Sequence, residues 1–192
     1  FIRTTSTTGR WPANGVLRTY DLDIPALVRI HRDGTGLETV YSGKVTRNGN
    51  TWQAFVRQPF PNPDDTKVAV ITDAPTPDNS DVVLKILDLT SRTLIDPGLT
   101  EVPPLGHQDP AWAPDGSAIL YVKDARSGTR GTPQIMRYDL TTKRAKALTG
   151  PGYLGPAWSP DGRFVAYSGQ SSPGTTIYDI DLNPVLRTVR KR

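Results

Sequence analysis

The chain has 192 residues with 18 prolines, 17 glycines and no cysteine, and the absence of cysteine excludes disulfides and thiolate metal sites. A formal net charge of +4 predicts a mildly basic surface, and the only dense basic run, residues 187–192, lies at the end of the chain. No apolar run approaches the ~20 residues that a transmembrane helix needs, so we expect no membrane span in this segment.

Four short turn motifs recur along the chain at similar spacing. In chain order they occupy residues 11–15, 59–65, 110–116 and 156–162, and their final residues lie 50, 51 and 46 positions apart. The last two copies have the sequences PAWAPDG and PAWSPDG, whereas the first two are degraded. Asp-Gly and Asn-Gly are strong hairpin signals, because glycine accepts a positive φ and the Asp side chain bonds the turn backbone.

Apolar stretches with the composition of β-strands follow each turn. Second strands are predicted at 16–20, 67–71, 118–122 and 164–167, third strands at 26–30, 82–87, 134–138 and 176–180, and weaker fourth strands at 37–41, 92–95, 145–148 and 185–189. The sequence therefore predicts a single all-β domain over 1–192, with four repeats of four antiparallel strands at 1–43, 44–100, 101–149 and 150–192. Such units cannot bury their apolar faces alone, so neighbouring repeats must stack.

These repeats resemble the TolB-type β-propeller repeat, a WD40-like motif of the form P-x-W-S-P-D-G, apolar strand, I-Y-x-x-D-L and L-T. Residues 110–149 and 156–182 match it closely, the second repeat matches in outline, and the first only in its turn and strand pattern. The resemblance implies a β-propeller of about four blades and a periplasmic or extracellular location in a bacterium. Propellers of this type usually have six or more blades. The chain is therefore a small closed propeller, part of a larger one, or a unit that associates with other copies.

The repeated residues of the heptapeptide are expected to be structural. Asp115 and Asp161 recur once per repeat, which favours turn formation over a shared metal site. Trp112 and Trp158 are expected to pack between neighbouring blades, and stacking on a sugar or peptide is the alternative.

Residues that do not repeat are the candidates for ligand binding. Loops that join the blades of a propeller gather at one mouth of its channel, and loops on a rigid scaffold often carry function. The predicted ligand-binding residues are Trp52, which lies outside the tryptophan register, and five residues of the loops around the third and fourth repeats, namely His107, Asp109, Arg126, Arg130 and Tyr153.

Catalytic and cofactor motifs are missing from the sequence. There is no G-x-S-x-G elbow, no phosphate-binding loop and no dinucleotide fingerprint. The two histidines, His31 and His107, are far apart, and the basic residues are scattered, so no metal, no cofactor and no nucleic acid is expected.

The sequence thus favours a non-enzymatic binding or scaffold module for a protein, peptide or cell-envelope ligand. One alternative is the propeller domain of a larger peptidase or hydrolase, and another is a structural repeat module that self-assembles.

Overall fold

The computed structural model describes residues 1–47, 50–54, 56–57, 59–73, 82–97, 106–123, 132–171, 174–182 and 189–191. The regular structure in these residues is β, arranged as four antiparallel sheets and one separate hairpin. None of the described residues belongs to a helix long and apolar enough to cross a membrane.

Strands that follow one another in sequence are neighbours in every sheet. The first sheet contains β1 (Ile2–Ala13), β2 (Val16–Arg29) and β3 (Glu38–Ser42), and the separate hairpin contains β4 (Lys44–Arg47) and β5 (Asn50–Gln53). The second sheet contains β6 (Phe60–Pro61), β7 (Lys67–Asp73), β8 (Val82–Asp88) and β9 (Leu94–Ile95). The third contains β10 (Gln108–Trp112), β11 (Ala118–Lys123), β12 (Gln134–Asp139) and β13 (Arg144–Pro151). The fourth contains β14 (Tyr153–Trp158), β15 (Phe164–Ser171), β16 (Gly174–Asp181) and β17 (Val189–Lys191).

The first repeat differs from the prediction. Its predicted second and third strands, 16–20 and 26–30, are parts of one long strand, β2, which pairs with β1 from Ala13↔Val16 to Ile2↔Leu27. The turn at Asn14 and Gly15, with φ of 51° and 75°, closes this long hairpin and is not equivalent to the turns of the later sheets. Asn-Gly specifies a tight two-residue turn wherever it occurs, so the dipeptide alone does not say which pair of strands it joins.

The sheets stack through strands that are buried on both faces. In β11, residues 118–122 are all fully buried. Ile119 and Tyr121 contact the apolar face of the second sheet, whereas Leu120 and Val122 lie in a cluster with Val165 of the fourth sheet. This alternation explains the continuous apolar run in the sequence, because successive side chains of a strand point to opposite faces.

The repeated tryptophans connect consecutive sheets. The indole N–H of Trp112 donates to the carbonyl oxygen of Phe60 at 2.7 Å, and that of Trp158 donates to the carbonyl oxygen of Ala111 at 3.1 Å. Phe60 and Ala111 occupy the same position of the heptapeptide, one residue after its first proline. Each tryptophan therefore bonds the first strand of the preceding sheet, in agreement with the predicted packing between blades.

Replacing Trp112 with Phe is expected to lower the free energy of unfolding by about 1–2 kcal/mol, because the Phe60 carbonyl loses its donor while an aromatic ring remains. Trp158→Phe should have a similar effect on the next interface, and the two losses should couple rather than simply add, because Ala111 adjoins Trp112 on β10. Urea denaturation of the single and double variants measures both effects. An unchanged midpoint for Trp112→Phe would show that this bond contributes nothing to stability.

The aspartates of the heptapeptide form turns, as predicted. Asp115 Oδ1 accepts from the backbone N–H of Ser117 at 2.9 Å and from its hydroxyl at 2.7 Å. Asp161 Oδ1 accepts from the Ser159 hydroxyl and, at 3.1 Å, from the N–H of Arg163. These hydrogen bonds to the charged form hold the pKa values of both carboxyls below their ordinary value.

This lowering makes the turns acid-sensitive. Each carboxylate stabilises the fold fully above the pKa it has in the unfolded chain, near 4, and the stabilisation is lost as the pH falls through the lower folded-state value. We expect Asp115→Asn to reduce the loss of stability between about pH 5 and pH 2, because the amide does not titrate. Thermal melts across that range give the comparison. Parallel curves for wild type and variant would contradict the role of the carboxylate.

Candidate functional site

The first strands of the third and fourth sheets contain a β-bulge at the same position. In the third sheet Gln108 pairs with Val122 and Ala111 with Leu120, so β10 has one residue more than β11 over this stretch. The same one-residue shift lies between Leu154 and Ala157 in the fourth sheet, and between Val56 and Phe60 in the second. Bulges bend a strand and redirect its side chains, and they are frequent beside functional sites.

The bulge residue adopts the left-handed conformation. Asp109 has a φ of 49°, and Gly155, one residue before the proline of the next heptapeptide, has a φ of 58°. Glycine accepts this conformation at little cost and aspartate tolerates it better than most residues. Asp109, one of the predicted ligand-binding residues, is therefore held in place by the bulge, and its side chain is exposed.

Two clefts open beside the bulges, between consecutive sheets. One, of about 350 Å³, lies between the second and third sheets and is lined by Val56, Arg57, Phe60, Ile71, Gln108, Asp109 and Pro110. The other, of about 440 Å³, lies between the first and second sheets and is lined by Ile2, Thr4, Asp23, Pro25, Ala54, Val56 and Asp73. Val56 belongs to both walls, so the two clefts are neighbours, and we call them the bulge clefts.

The bulge clefts combine an apolar floor with charged walls. Val56 and Ile71 are buried, whereas Arg57 and Asp109 are exposed at the edge of one cleft, and Asp23 is exposed at the edge of the other. Neighbouring sites with charges of both signs can orient an extended chain by hydrogen bonds and ion pairs, while the floor buries apolar side chains.

His107 lies in the interior and not on the surface that the sequence predicted. Its ring is fully buried, its Nδ1 accepts from the backbone N–H of Leu84 at 2.9 Å, and its ring centroid is 4.7 Å from that of Tyr121. Strand β9 ends at Ile95, which pairs with Ile86, so β9 does not extend as far as Leu84. The imidazole of His107 is instead the acceptor for the Leu84 N–H. A buried N–H must find a partner, and His107 provides it.

Tyr153 occupies the same repeat position as His107, three residues before the proline of the heptapeptide. Its ring lies 5.1 Å from that of Tyr167, edge to face, and the His107 ring contacts Tyr121 in a tilted arrangement. The backbone N–H of Tyr153 donates to Pro133 O at 3.2 Å, and that of His107 donates to Val82 O at 3.0 Å. Each ring therefore contacts a tyrosine of the second strand of its own sheet, so this repeat position has a shared packing role.

Tyr153 belongs to a cluster of three tyrosines with Tyr167 and Tyr178. Its ring also lies 5.3 Å from that of Tyr178, and the rings of Tyr167 and Tyr178 are stacked at 5.6 Å. Gly169 fits beneath them, because a Cβ there would lie 2.9 Å from atoms of Tyr153 and Tyr178. Burial raises the pKa of the Tyr167 phenol, so the Tyr167 ring packs in this cluster as a neutral group. The half-buried Tyr153 reaches solvent only in part.

For the remaining predicted residues, Trp52, Arg126 and Arg130, no side chain is described. The backbone of Trp52 lies in β5, opposite Val45. Arg126 and Arg130 lie outside the described residues, as does most of the loop that carries them. Within the described ranges, no three His, Cys, Asp or Glu side chains gather in a way that could hold a metal ion.

Comparison with known proteins bears on the fold. No family model matches the sequence, and no curated protein matches it. Among solved structures, TolB from Acinetobacter baumannii superposes with a TM-score of 0.57 at 20% identity, over 99% of this chain and 40% of that one. An oligogalacturonate lyase in complex with manganese gives 0.62 at 19% identity, over 88% and 42%. The β-propeller domain of the Trilobed protease from Pyrococcus furiosus gives 0.53 at 18% identity, over 72% and 43%.

The fold is that of a β-propeller. The sheets described above are its blades, and the predicted fold class is confirmed. The chain spans about two fifths of the length of these three structures, and at such low identity the likeness concerns the fold alone.

Arg57 is the residue of the propeller's bulge clefts that the sequence argument missed. It lies two residues before Pro59, and the equivalent positions in the next two blades are Gln108 and Leu154. A comparison of the second residue before each heptapeptide would have shown Arg57 as a charged side chain where the next two blades have Gln108 and Leu154. The degraded second motif hid that alignment.

The two histidines of the propeller allow a matched test of the buried one. His107→Ala should lower the free energy of unfolding by about 3 kcal/mol, because it opens a cavity against Tyr121 and leaves the Leu84 N–H without its acceptor. His31 is exposed, so His31→Ala should change stability by no more than about 0.5 kcal/mol. Urea denaturation compares the two. Equal effects would contradict the interior role of His107.

Proposed function

We propose that this propeller is a non-enzymatic binding module that works outside the cytoplasm and holds a protein or peptide partner in the bulge clefts. The periplasmic or extracellular location rests on the resemblance of residues 110–182 to TolB-type repeats. The partner class rests on the shape and chemistry of the clefts.

The observation that carries the proposal is the pair of clefts on either side of Val56. They lie side by side, each opens between two blades, and the exposed charges are at their edges while the floor is apolar. An extended peptide presents side chains alternately to its two sides, so it can place an apolar side chain in each cleft and meet the charged edges between them. A rigid β scaffold keeps the loss of conformational entropy to the ligand alone.

The chemistry of the lining supports binding over catalysis. Among the described residues, neither cleft is lined by a histidine or a serine, and the His107 ring accepts a hydrogen bond from the Leu84 N–H in the interior. Binding platforms need shape and complementary charge, whereas a hydrolase needs a nucleophile beside its base.

A second candidate is the propeller domain of a larger peptidase or hydrolase. It is favoured by the likeness to the propeller domain of the Trilobed protease and by the chain's covering about two fifths of its structural neighbours. Reading the gene beyond the codon for Arg192 separates the two candidates, because a hydrolase domain encoded there would replace the first proposal by the second.

Selection from a phage-displayed library of random peptides tests the binding site. We expect the enriched peptides to lose affinity by about tenfold for Asp109→Ala and for Arg57→Ala, since each variant removes a charged group at the edge of one cleft. Arg144→Ala is the matched control, because Arg144 is exposed on β13 and lines neither cleft.

Two results would contradict the proposal. Enriched peptides that bind the Asp109→Ala and Arg57→Ala proteins as tightly as wild type would place the site elsewhere. A library from which nothing is enriched on the wild-type protein would remove peptides as the ligand class.

A further inference from the structure

The interface between the third and fourth blades opens into a cleft at the end that carries the Asp-Gly turns, where the preceding interface packs Ile86 and Ile95. It has a volume of about 720 Å³, within the range of small-ligand sites. Its walls include Ser117, Arg137, Lys146 and Trp158, and its rim carries the turn carboxylates Asp115 and Asp161. It lies at the Ser117 end of β11, whereas the bulge clefts lie toward the Val122 end, so it is independent of the site proposed above.

One pair of side chains accounts for the difference between the two interfaces. In the second blade, Ile86 and Ile95 are cross-strand partners, and both pack against the third blade's apolar cluster. In the third blade the equivalent partners are Arg137 and Lys146. Both pairs begin two residues before the aspartate of the following turn, Asp88 or Asp139. Two cations thus replace two isoleucines where the repeat otherwise closes its interface.

Both cations have N–H groups that a ligand can use. Arg137 gives one nitrogen, Nη1, to Asp139 at 3.2 Å, and its side chain is 36% exposed. Lys146 has no ion-pair partner among the residues that the structure describes. Lys146 is exposed, so the pair leaves this end of the interface open where the second blade packs two isoleucines, and departures of this kind from local packing rules are expected at functional sites.

The rim limits the ligand that can use these cations. Asp115 and Asp161 each employ Oδ1 within their own turns, so Oδ2 of each can accept a hydrogen bond from a ligand. Both carboxyls are ionised at neutral pH, because turn hydrogen bonds lower their pKa values. The two negative charges repel a dianion, whereas the carboxylate oxygens accept hydrogen bonds from hydroxyl groups. The half-buried Trp158 adds an indole that can contact the C–H face of a ring.

We propose that this cleft binds a small hydroxylated monocarboxylate of the uronic-acid type. Arg137 and Lys146 hold the carboxylate, Asp115 and Asp161 accept hydrogen bonds from hydroxyl groups, and Trp158 forms the wall against the sugar ring. Charge-assisted hydrogen bonds to the carboxylate supply most of the selectivity, because they are stronger than those between neutral groups.

Titration calorimetry of the whole chain with sodium D-glucuronate tests the site. Glucuronate should bind with one site per chain, and D-glucose and inorganic phosphate should each bind at least about tenfold more weakly. No heat with glucuronate would overturn the proposal. Equal binding of glucose would show that the carboxylate is not recognised, and tighter binding of phosphate would show a general anion site, so either result also overturns it.

Variants that copy the preceding blade separate binding from folding. Arg137→Ile and Lys146→Ile should each weaken glucuronate binding at least about tenfold, with Tm unchanged or raised because the closed interface of the second blade is restored. Lys146→Arg should keep the affinity within about threefold, since the charge remains. Arg144→Ile, on the same strand but outside the cleft, should leave it unchanged. Undiminished binding by Arg137→Ile and Lys146→Ile would overturn the assignment.

Discussion

The hydrogen bond from each repeated tryptophan to the preceding blade is the contact on which the stacking of the last three blades depends. An indole N–H needs an acceptor when it is partly buried, and the carbonyl oxygen of a strand residue next to a bulge can be that acceptor. Because Trp112 bonds Phe60 and Trp158 bonds Ala111, the same short peptide serves as donor toward one neighbour and as acceptor toward the other. The heptapeptide thereby fixes the distance and the angle between blades, and the apolar faces of the strands fill the space that remains.

The bulge follows from the same geometry and creates the room for a site. In the third blade the first strand presents a carbonyl to Trp158 and also has one residue more than its partner strand, and the extra residue bends it. The left-handed backbone conformation at that point is adopted by an aspartate, Asp109, in the third blade and by a glycine, Gly155, in the fourth. The two ends of the strand thus differ, since the bulge end lines one cleft and the residues after the tryptophan line another.

What the sequence predicted well was local and repeated. Asp115, Asp161 and the tryptophans could be assigned because turn chemistry and recurrence agree, and β11 could be recognised from an unbroken apolar run. The first blade was assigned wrongly because Asn14 and Gly15 form a tight turn in any hairpin. The shared packing role of His107 and Tyr153 was not predicted because a histidine and a tyrosine share no sequence signal. Arg137 and Lys146 were missed because the pattern of a single strand does not show how the facing blade packs against its side chains.

The long hairpin of the first blade behaves differently from the rest of the molecule. Between the Thr7–Leu22 pair and the turn at its tip, strands β1 and β2 pair only with each other. The side chains of Val16, Leu17 and Tyr20 near the tip are exposed. A two-stranded ribbon without a covered face has little free energy to resist opening. Its amides will therefore exchange with solvent at a rate unrelated to that of β11. For the same reason a short peptide tag inserted between Asn14 and Gly15 will leave the stacked blades intact, which makes this tip a natural place to attach a spectroscopic label.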